Sequence, residues 1–66
     1  MQKKRDARQF MMCVKNDGYP ASLEVGKVYQ RLSDPVAEAS HLVRIVDETD
    51  EDYVYSEDYF VPIDLQ

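Results

Sequence analysis

The chain of 66 residues has one cysteine, one histidine, two glycines and no tryptophan, and each shortage excludes a class of protein. A single cysteine, Cys13, cannot form an intramolecular disulfide, and His41 adds too few ligands for the usual zinc site of four Cys and His side chains. Two glycines are too few for a glycine-rich phosphate loop. The apolar run at residues 10–14 is too short for a signal peptide or a membrane helix. We therefore expect a cytoplasmic protein with no cofactor and no bound metal.

The length of the chain sets its organisation. A chain this short forms one domain, which buries only about 60% of its extended-chain surface and gains roughly 3–5 kcal/mol from its core. The apolar fraction of 44% and the charged fraction of 32% are typical of a folded globular domain. We predict a flexible basic tail at residues 1–8 and a single folded domain at residues 9–66.

The net charge of −5 hides an uneven distribution. Residues 1–8 contain four basic residues and one acidic residue, whereas residues 9–66 contain four basic and twelve acidic residues. An acidic domain repels the phosphates of nucleic acid, so nucleic acid is an unlikely partner for the folded part. The tail leaves an alternative open, a small nucleic-acid-associated protein whose phosphate contacts come from Lys3, Lys4, Arg5 and Arg8.

Alternating apolar residues and turn signals predict five short strands and almost no helix. Asp34 and Pro35 could start a helix, but the apolar pattern lasts for barely one turn before Ser40, which predicts a loop with a helical turn. Short strands with short connections are typical of a small barrel, whose closed edges help a chain of this size to fold. The strands are expected at residues 9–15, 28–32, 41–46, 52–56 and 60–65.

Three features occur in the order found in the Src-homology-3 (SH3) family. Leu23-Glu24-Val25-Gly26 resembles the apolar-x-x-Gly at the end of the first long loop of that family, and Leu42–Val46 with Tyr53–Tyr55 resembles its distal hairpin. Ser56-Glu57-Asp58-Tyr59-Phe60 is similar to the Pro-Ser-Asn-Tyr-Val turn before the last strand. The resemblance, which extends to small stand-alone SH3-like proteins of bacteria, implies an all-β, five-stranded SH3-like barrel with one or two short helical turns.

The residues that bind proline-rich peptides in the SH3 family are mostly missing here. Only Tyr59 matches, because Cys13–Asp17 contains no aromatic residue, the chain has no tryptophan, and Ser56 stands where the turn proline would be. Without those aromatic faces there is no groove for a polyproline helix. Binding of proline motifs is therefore not expected.

Seven carboxylates and no basic residue lie between Asp47 and Asp58. A calcium loop is one interpretation, but the required Asp-x-Asp-x-Asp-Gly spacing is missing. There are two other interpretations of the acidic run. It is either an acidic surface that binds a basic protein partner or a solvated turn that protects an edge strand. The sequence leaves the last two open.

The other candidate residues are tyrosines, His41 and Cys13. Tyr29 and one of Tyr53 or Tyr55 are predicted to be core residues, whereas the tyrosines beside turns are predicted to form an exposed patch. His41 has no evident orienting partner, and Cys13 lies among apolar neighbours that favour a buried thiol. We predict that the chain is not an enzyme but a protein-interaction module, as a monomer or weak homodimer. The residues predicted to bind the protein partner are Tyr19, Asp47, Glu48, Asp50, Glu51, Asp52 and Tyr59.

Overall fold

The computed structural model describes residues 9–63, which form five antiparallel strands in one sheet, one short α-helix and one 3-10 turn. The predicted tail at 1–8 and the predicted strand residue Leu65 lie outside the described residues. The elements are β1 (Gln9–Cys13), β2 (Val28–Leu32), α1 (Pro35–Ala39), β3 (Leu42–Val46), β4 (Asp52–Ser56), the 3-10 turn (Glu57–Tyr59) and β5 (Phe60–Ile63).

The strands lie side by side in the order β4-β3-β2-β1-β5. β1 pairs with β2 with Met11 opposite Tyr29, and it pairs with β5 with Cys13 opposite Phe60. Strands β4 and β5 are the two edges, and no ladder joins them within residues 9–63. The prediction of a mostly β domain with five strands is confirmed, but hydrogen bonds between strands do not close this sheet into a barrel.

The core lies on one face of the sheet and contains side chains from all five strands. Leu23, from the long loop between β1 and β2, is 1% exposed and covers this face. Arg44 points to the other face, as the alternation in β3 predicted, and its neighbours in the strand enter the core. The core residues are Met11, Cys13, Leu23, Tyr29, Val43, Ile45, Tyr55 and Phe60.

Helix α1 is short but well capped. The Asp34 carboxylate accepts a hydrogen bond from the Ala37 backbone N–H, and the Glu38 carboxylate accepts one from the Asp34 N–H. These bonds satisfy donors that a helix N-terminus leaves free, and Pro35 fixes the first helical φ. His41 has a φ of 64° just after the helix, a left-handed conformation that ends the helix and delays β3 to Leu42. The predicted helical turn is confirmed.

The long loop between β1 and β2 is held at both ends. Gly26, at a φ of 93°, donates its N–H to the Cys13 carbonyl across 2.7 Å, and Cys13 donates its N–H to the Lys27 carbonyl across 2.9 Å. Val14 donates its N–H to the carbonyl of Tyr59 at 2.8 Å. The loop is therefore attached to β1 and to the 3-10 turn, and this brings Tyr19 towards β4.

A tyrosine surface beside the acidic loop

Four tyrosines meet at one edge of the sheet, which we call the tyrosine cluster: Tyr19, Tyr53, Tyr55 and Tyr59. The ring of Tyr19 packs edge-to-face on that of Tyr55, with centroids 4.9 Å apart and an interplanar angle of 89°. The ring centroids of Tyr53 and Tyr59 lie 6.3 Å and 6.1 Å from that of Tyr19. Such edge-to-face contacts are favourable for aromatic rings, so the loop carrying Tyr19 is held against β4 by its own side chain.

Members of the tyrosine cluster differ in burial. Tyr55 is 2% exposed and belongs to the core, whereas Tyr53 is 53% exposed and Tyr19 is 36% exposed. The prediction that Tyr29 and one tyrosine of β4 are core residues is confirmed, with Tyr55 as that residue. Tyr59 is half-buried, and its hydroxyl donates to the carbonyl of Asp17 across 2.9 Å. Tyr19 and Tyr53 therefore supply most of the exposed aromatic surface.

Tyr53 was not among the residues predicted to bind a partner. Tyr53 and Tyr55 are two residues apart in β4 and so face the same side of the sheet. Only the position of Tyr53 next to the acidic loop could have indicated that it lies at the rim and not in the core.

The acidic loop, residues 47–51, connects β3 with β4 and is organised by Asp47. This residue is only 8% exposed, although it belongs to the acidic surface predicted from the sequence. Its Oδ1 accepts hydrogen bonds from the N–H of Thr49 at 2.9 Å and from the Thr49 hydroxyl at 2.5 Å. Its Oδ2 accepts one from the Tyr55 hydroxyl at 2.6 Å. Asp47 therefore shapes the turn, and its carboxylate is engaged in hydrogen bonds within the domain.

These contacts set the pKa values of both members of the Asp47–Tyr55 pair. Burial acts to raise the pKa of Asp47, but hydrogen bonds from Thr49 and Tyr55 outweigh it and hold this pKa below the usual range. Burial, together with the bond to a carboxylate, raises the pKa of Tyr55. At neutral pH the pair is therefore a charged acceptor with a neutral phenol donor.

Glu48 is also engaged within the domain. Its Oε2 lies 2.6 Å from Nζ of Lys27 and accepts a hydrogen bond of 2.6 Å from the Tyr29 hydroxyl. The contacts with Lys27 and Tyr29 lower the pKa of Glu48. Burial, followed by the bond to Glu48, raises the pKa of Tyr29 to about 12. Glu48 thus connects the acidic loop to β2, and its negative charge is largely neutralised.

The remaining acidic candidates divide into paired and unpaired groups. Asp52 forms an ion pair of 2.9 Å with Arg44, which also binds the helix cap Asp34 at 2.8 Å. Asp50 and Glu51 are exposed, and within residues 9–63 their carboxylates have no hydrogen bond or ion pair. Asp50 occupies the tip of the turn with a φ of 67°. Lys27 and Arg44 therefore offset part of the negative charge of the acidic run in the fold.

A hollow of about 220 Å³ lies between the tyrosine cluster and the acidic loop. Tyr19, Tyr53 and Tyr55 form its aromatic wall, and Glu51 and Asp52 lie at its acidic rim. The structure therefore joins Tyr19 to the exposed end of the acidic loop, while it places Asp47 and Glu48 in internal contacts. Tyr59 lies on the far side of Tyr19 and does not line the hollow.

His41 and Cys13 lie in very different surroundings. The His41 side chain is 83% exposed, with Nδ1 3.3 Å from a Glu57 carboxylate oxygen. Cys13 is fully buried, and its Sγ lies 3.3 Å from the carbonyl oxygen of Lys15. Burial raises the pKa of the Cys13 thiol. The predicted buried thiol is confirmed.

Two further observations concern residues 9–63. No helix in this part of the chain is long and apolar enough to cross a membrane. Within the same residues, no group of three or more His, Cys, Asp or Glu side chains is placed to hold a metal ion.

Comparisons with protein-family models, with curated proteins and with solved structures find no match to this chain.

Proposed function

We propose that this chain is a small SH3-like barrel that acts in the cytoplasm as a non-enzymatic module and binds a basic protein partner. The observation that carries this proposal is the hollow in which the exposed rings of Tyr19 and Tyr53 lie beside the carboxylate of Glu51. Glu51 has no side-chain partner within residues 9–63, and the exposed Asp50 is its neighbour at the tip of the same loop. Large aromatic faces are typical of the centre of protein interfaces, and surface charge steers association with a partner of opposite charge.

The SH3-like assignment is supported by the positions of the β3–β4 hairpin and the 3-10 turn. Both occur where the sequence resemblance requires them, and Ser56 caps the turn by accepting a hydrogen bond from the Asp58 N–H. Gly26 adopts the positive φ that suits the last residue of the apolar-x-x-Gly segment. Leu23, the apolar residue of that segment, is a core residue.

A non-enzymatic role is supported by the separate surroundings of the two most reactive side chains. A thiol activated by histidine requires a partly exposed, electropositive site, whereas Cys13 is fully buried among core residues. The Glu57 carboxylate is the side-chain partner of His41 within residues 9–63, and both groups lie in solvent. A general base needs an enclosed substrate position, which an exposed pair of this kind does not supply.

The experiment is capture of cytoplasmic proteins on the immobilised full chain, followed by mass spectrometry. The test variant is Asp50→Asn with Glu51→Gln, and the matched control is Glu24→Gln with Asp58→Asn, which removes the same charge from two other exposed sites. We expect one or more basic proteins to bind the wild type and the control, and to be lost from the test variant. Added salt of about 0.5 M should weaken the same binding because it screens exposed charges.

Equal capture by the test variant and the control would contradict the proposal. Loss of binding only when residues 1–8 are deleted would instead favour the alternative in which the basic tail makes the contacts.

A further inference from the structure

The aromatic wall of the hollow has exposed ring surface, although its rings also pack on one another. Tyr55 is covered by Tyr19, and the Tyr59 ring already holds a cation of this chain, since Lys15 Nζ lies 5.5 Å from its centroid. Tyr19 and Tyr53 are the exposed rings at the hollow, with no cation placed over either of them within residues 9–63. The cluster thus binds one cation internally, and its two most exposed rings carry no cation from residues 9–63.

The charges around the hollow are all negative, but they are not equally available. The Asp47 carboxylate accepts three hydrogen bonds, and Asp52 is paired with Arg44. Glu51 is the carboxylate at the rim that has no partner within the described residues. A ligand that enters therefore meets two tyrosine rings and one accessible carboxylate.

A guanidinium group fits these three features better than an ammonium group does. It is planar and weakly hydrated, so it stacks on an aromatic ring at a small desolvation cost, and its forked donors bind a carboxylate in a bidentate manner. An ammonium group is compact and strongly hydrated, and it can satisfy the carboxylate but gains less from the rings. Anionic ligands are repelled by the acidic rim.

We propose that the hollow formed by Tyr19, Tyr53 and Glu51 is a subsite for an arginine side chain of the partner protein. The guanidinium stacks on the exposed Tyr53 ring and binds the Glu51 carboxylate, and the adjoining Tyr19 ring, with its centroid 6.3 Å from that of Tyr53, extends the same aromatic wall. This inference rests on the proposed function, because it specifies the chemistry by which a basic partner is recognised.

The test is a titration of the ¹⁵N-labelled full chain, followed by NMR chemical shifts. The three probes are capped peptides, Gly-Gly-Arg-Gly-Gly and its lysine and citrulline counterparts, where citrulline keeps the shape of arginine without its charge. We expect the arginine peptide to shift the amides of Tyr19, Tyr53 and Glu51 and to bind about 3-fold or more tightly than the lysine peptide. The citrulline peptide should produce no saturable shift.

Matched variants distinguish the contribution of the Tyr53 ring to binding from that of its hydroxyl. They also distinguish the effect of the Glu51 charge from that of the total charge of the domain. Tyr53→Phe keeps the ring and should retain arginine binding, whereas Tyr53→Leu should weaken it by about 3- to 5-fold. Glu51→Gln should weaken binding by a similar factor or more, while Glu24→Gln should change it by less than about 2-fold. Backbone spectra of each variant show directly that it is folded.

The inference is wrong if the lysine peptide binds as tightly as the arginine peptide, if the shifts map elsewhere, or if Tyr53→Leu binds like the wild type. If these results occur while protein capture still depends on Asp50 and Glu51, only the arginine subsite is excluded and the proposed function stands. If capture is also independent of these carboxylates, both proposals fail.

Discussion

The hydroxyl of Tyr55, a core residue of β4, donates a hydrogen bond of 2.6 Å to Oδ2 of Asp47, the first residue of the acidic loop. Both residues are almost fully buried, and the bond fixes the loop to the strand that follows it. The residue that begins the most acidic segment of the sequence is thus buried and bonded to a core residue.

Removing the Tyr55 hydroxyl should destabilise the domain. Tyr55→Phe takes away a donor to a buried carboxylate, and bonds of this kind contribute about 1.5–3 kcal/mol. Thermal unfolding should therefore occur roughly 6–24 °C lower than in the wild type. The control is Tyr53→Phe, because the Tyr53 hydroxyl makes no hydrogen bond within residues 9–63. Its removal should change the free energy of unfolding by less than about 0.5 kcal/mol. Equal melting temperatures for the two variants would show that the Asp47 bond contributes nothing.

Acid should destabilise the domain through the same carboxylate. The pKa of Asp47 is lower in the fold than its ordinary value of 3.8. The ionised carboxylate therefore contributes fully to the free energy of unfolding above pH 3.8, and this contribution is lost as the pH falls through the folded pKa. Urea unfolding measured between about pH 7 and pH 2 should show this decline, and Asp47→Asn should have a shallower decline. Asp50→Asn, the control at the exposed tip, should keep the wild-type slope. A wild-type slope in Asp47→Asn would exclude this carboxylate as the cause.

Alkali should destabilise the domain through Tyr29. Its pKa is raised from 10.0 to about 12 in the fold, first by burial and then by its bond to Glu48. The stabilisation is therefore complete below pH 10 and is lost as the pH rises towards about 12, because the unfolded chain releases this proton first. Urea unfolding between pH 9 and pH 11.5 should show the decline. Tyr29→Phe should be less stable at pH 8 but should lose less stability over that interval, and an equal loss would contradict the assignment.

The Cys13 thiol should react slowly in the native state. It is fully buried and its pKa is raised by burial, so labelling requires the domain to open. For a domain stabilised by roughly 3–5 kcal/mol, labelling in buffer should be at least about 100-fold slower than in denaturant. The control places the thiol on the surface, as Val36→Cys with Cys13→Ala, because Val36 is 82% exposed. If Cys13 in the wild type reacts as fast as this control, its burial in solution is excluded.

Gly26→Ala should destabilise the domain through the backbone alone. A methyl group at this position would meet no atom within 4 Å, but the φ of 93° is one that L-residues rarely adopt. The cost should be about 1–2 kcal/mol, measured as a lower free energy of unfolding. D-alanine introduced by chemical synthesis is the matched control, since it adopts positive φ readily and should retain or increase the stability. Equal destabilisation by both enantiomers would indicate a steric cause.

Most of the strands could be predicted because each depends on the alternation of apolar and polar residues within it and on the turn residues beside it. The predicted ranges for β2 and β4 agree with the structure. The first strand was predicted to reach residue 15 but ends at Cys13, because Val14 donates its N–H to the 3-10 turn. Contacts of that kind depend on how the domain packs and leave no periodic signal.

The acidic loop could not be interpreted correctly from sequence for the same reason. Lys27 and Arg44, which pair with Glu48 and Asp52, lie 21 and 8 residues away along the chain, and nothing local indicates that they meet. The burial of Asp47 depends on Tyr55, which reaches it only when the hairpin forms. The exposure of Tyr19 beside a turn was predictable, whereas its packing against β4 depends on the long loop.

The pairing of β1 with β5 places Phe10 directly opposite Ile63, so the two ends of the described chain lie side by side on neighbouring strands. A tight turn could join them, and the five strands would then form a continuous loop of polypeptide. The exposed Asp50, at the tip of its turn, is a place where such a loop could be cut. We therefore expect a circular permutant of residues 9–63 to retain the strand order β4-β3-β2-β1-β5.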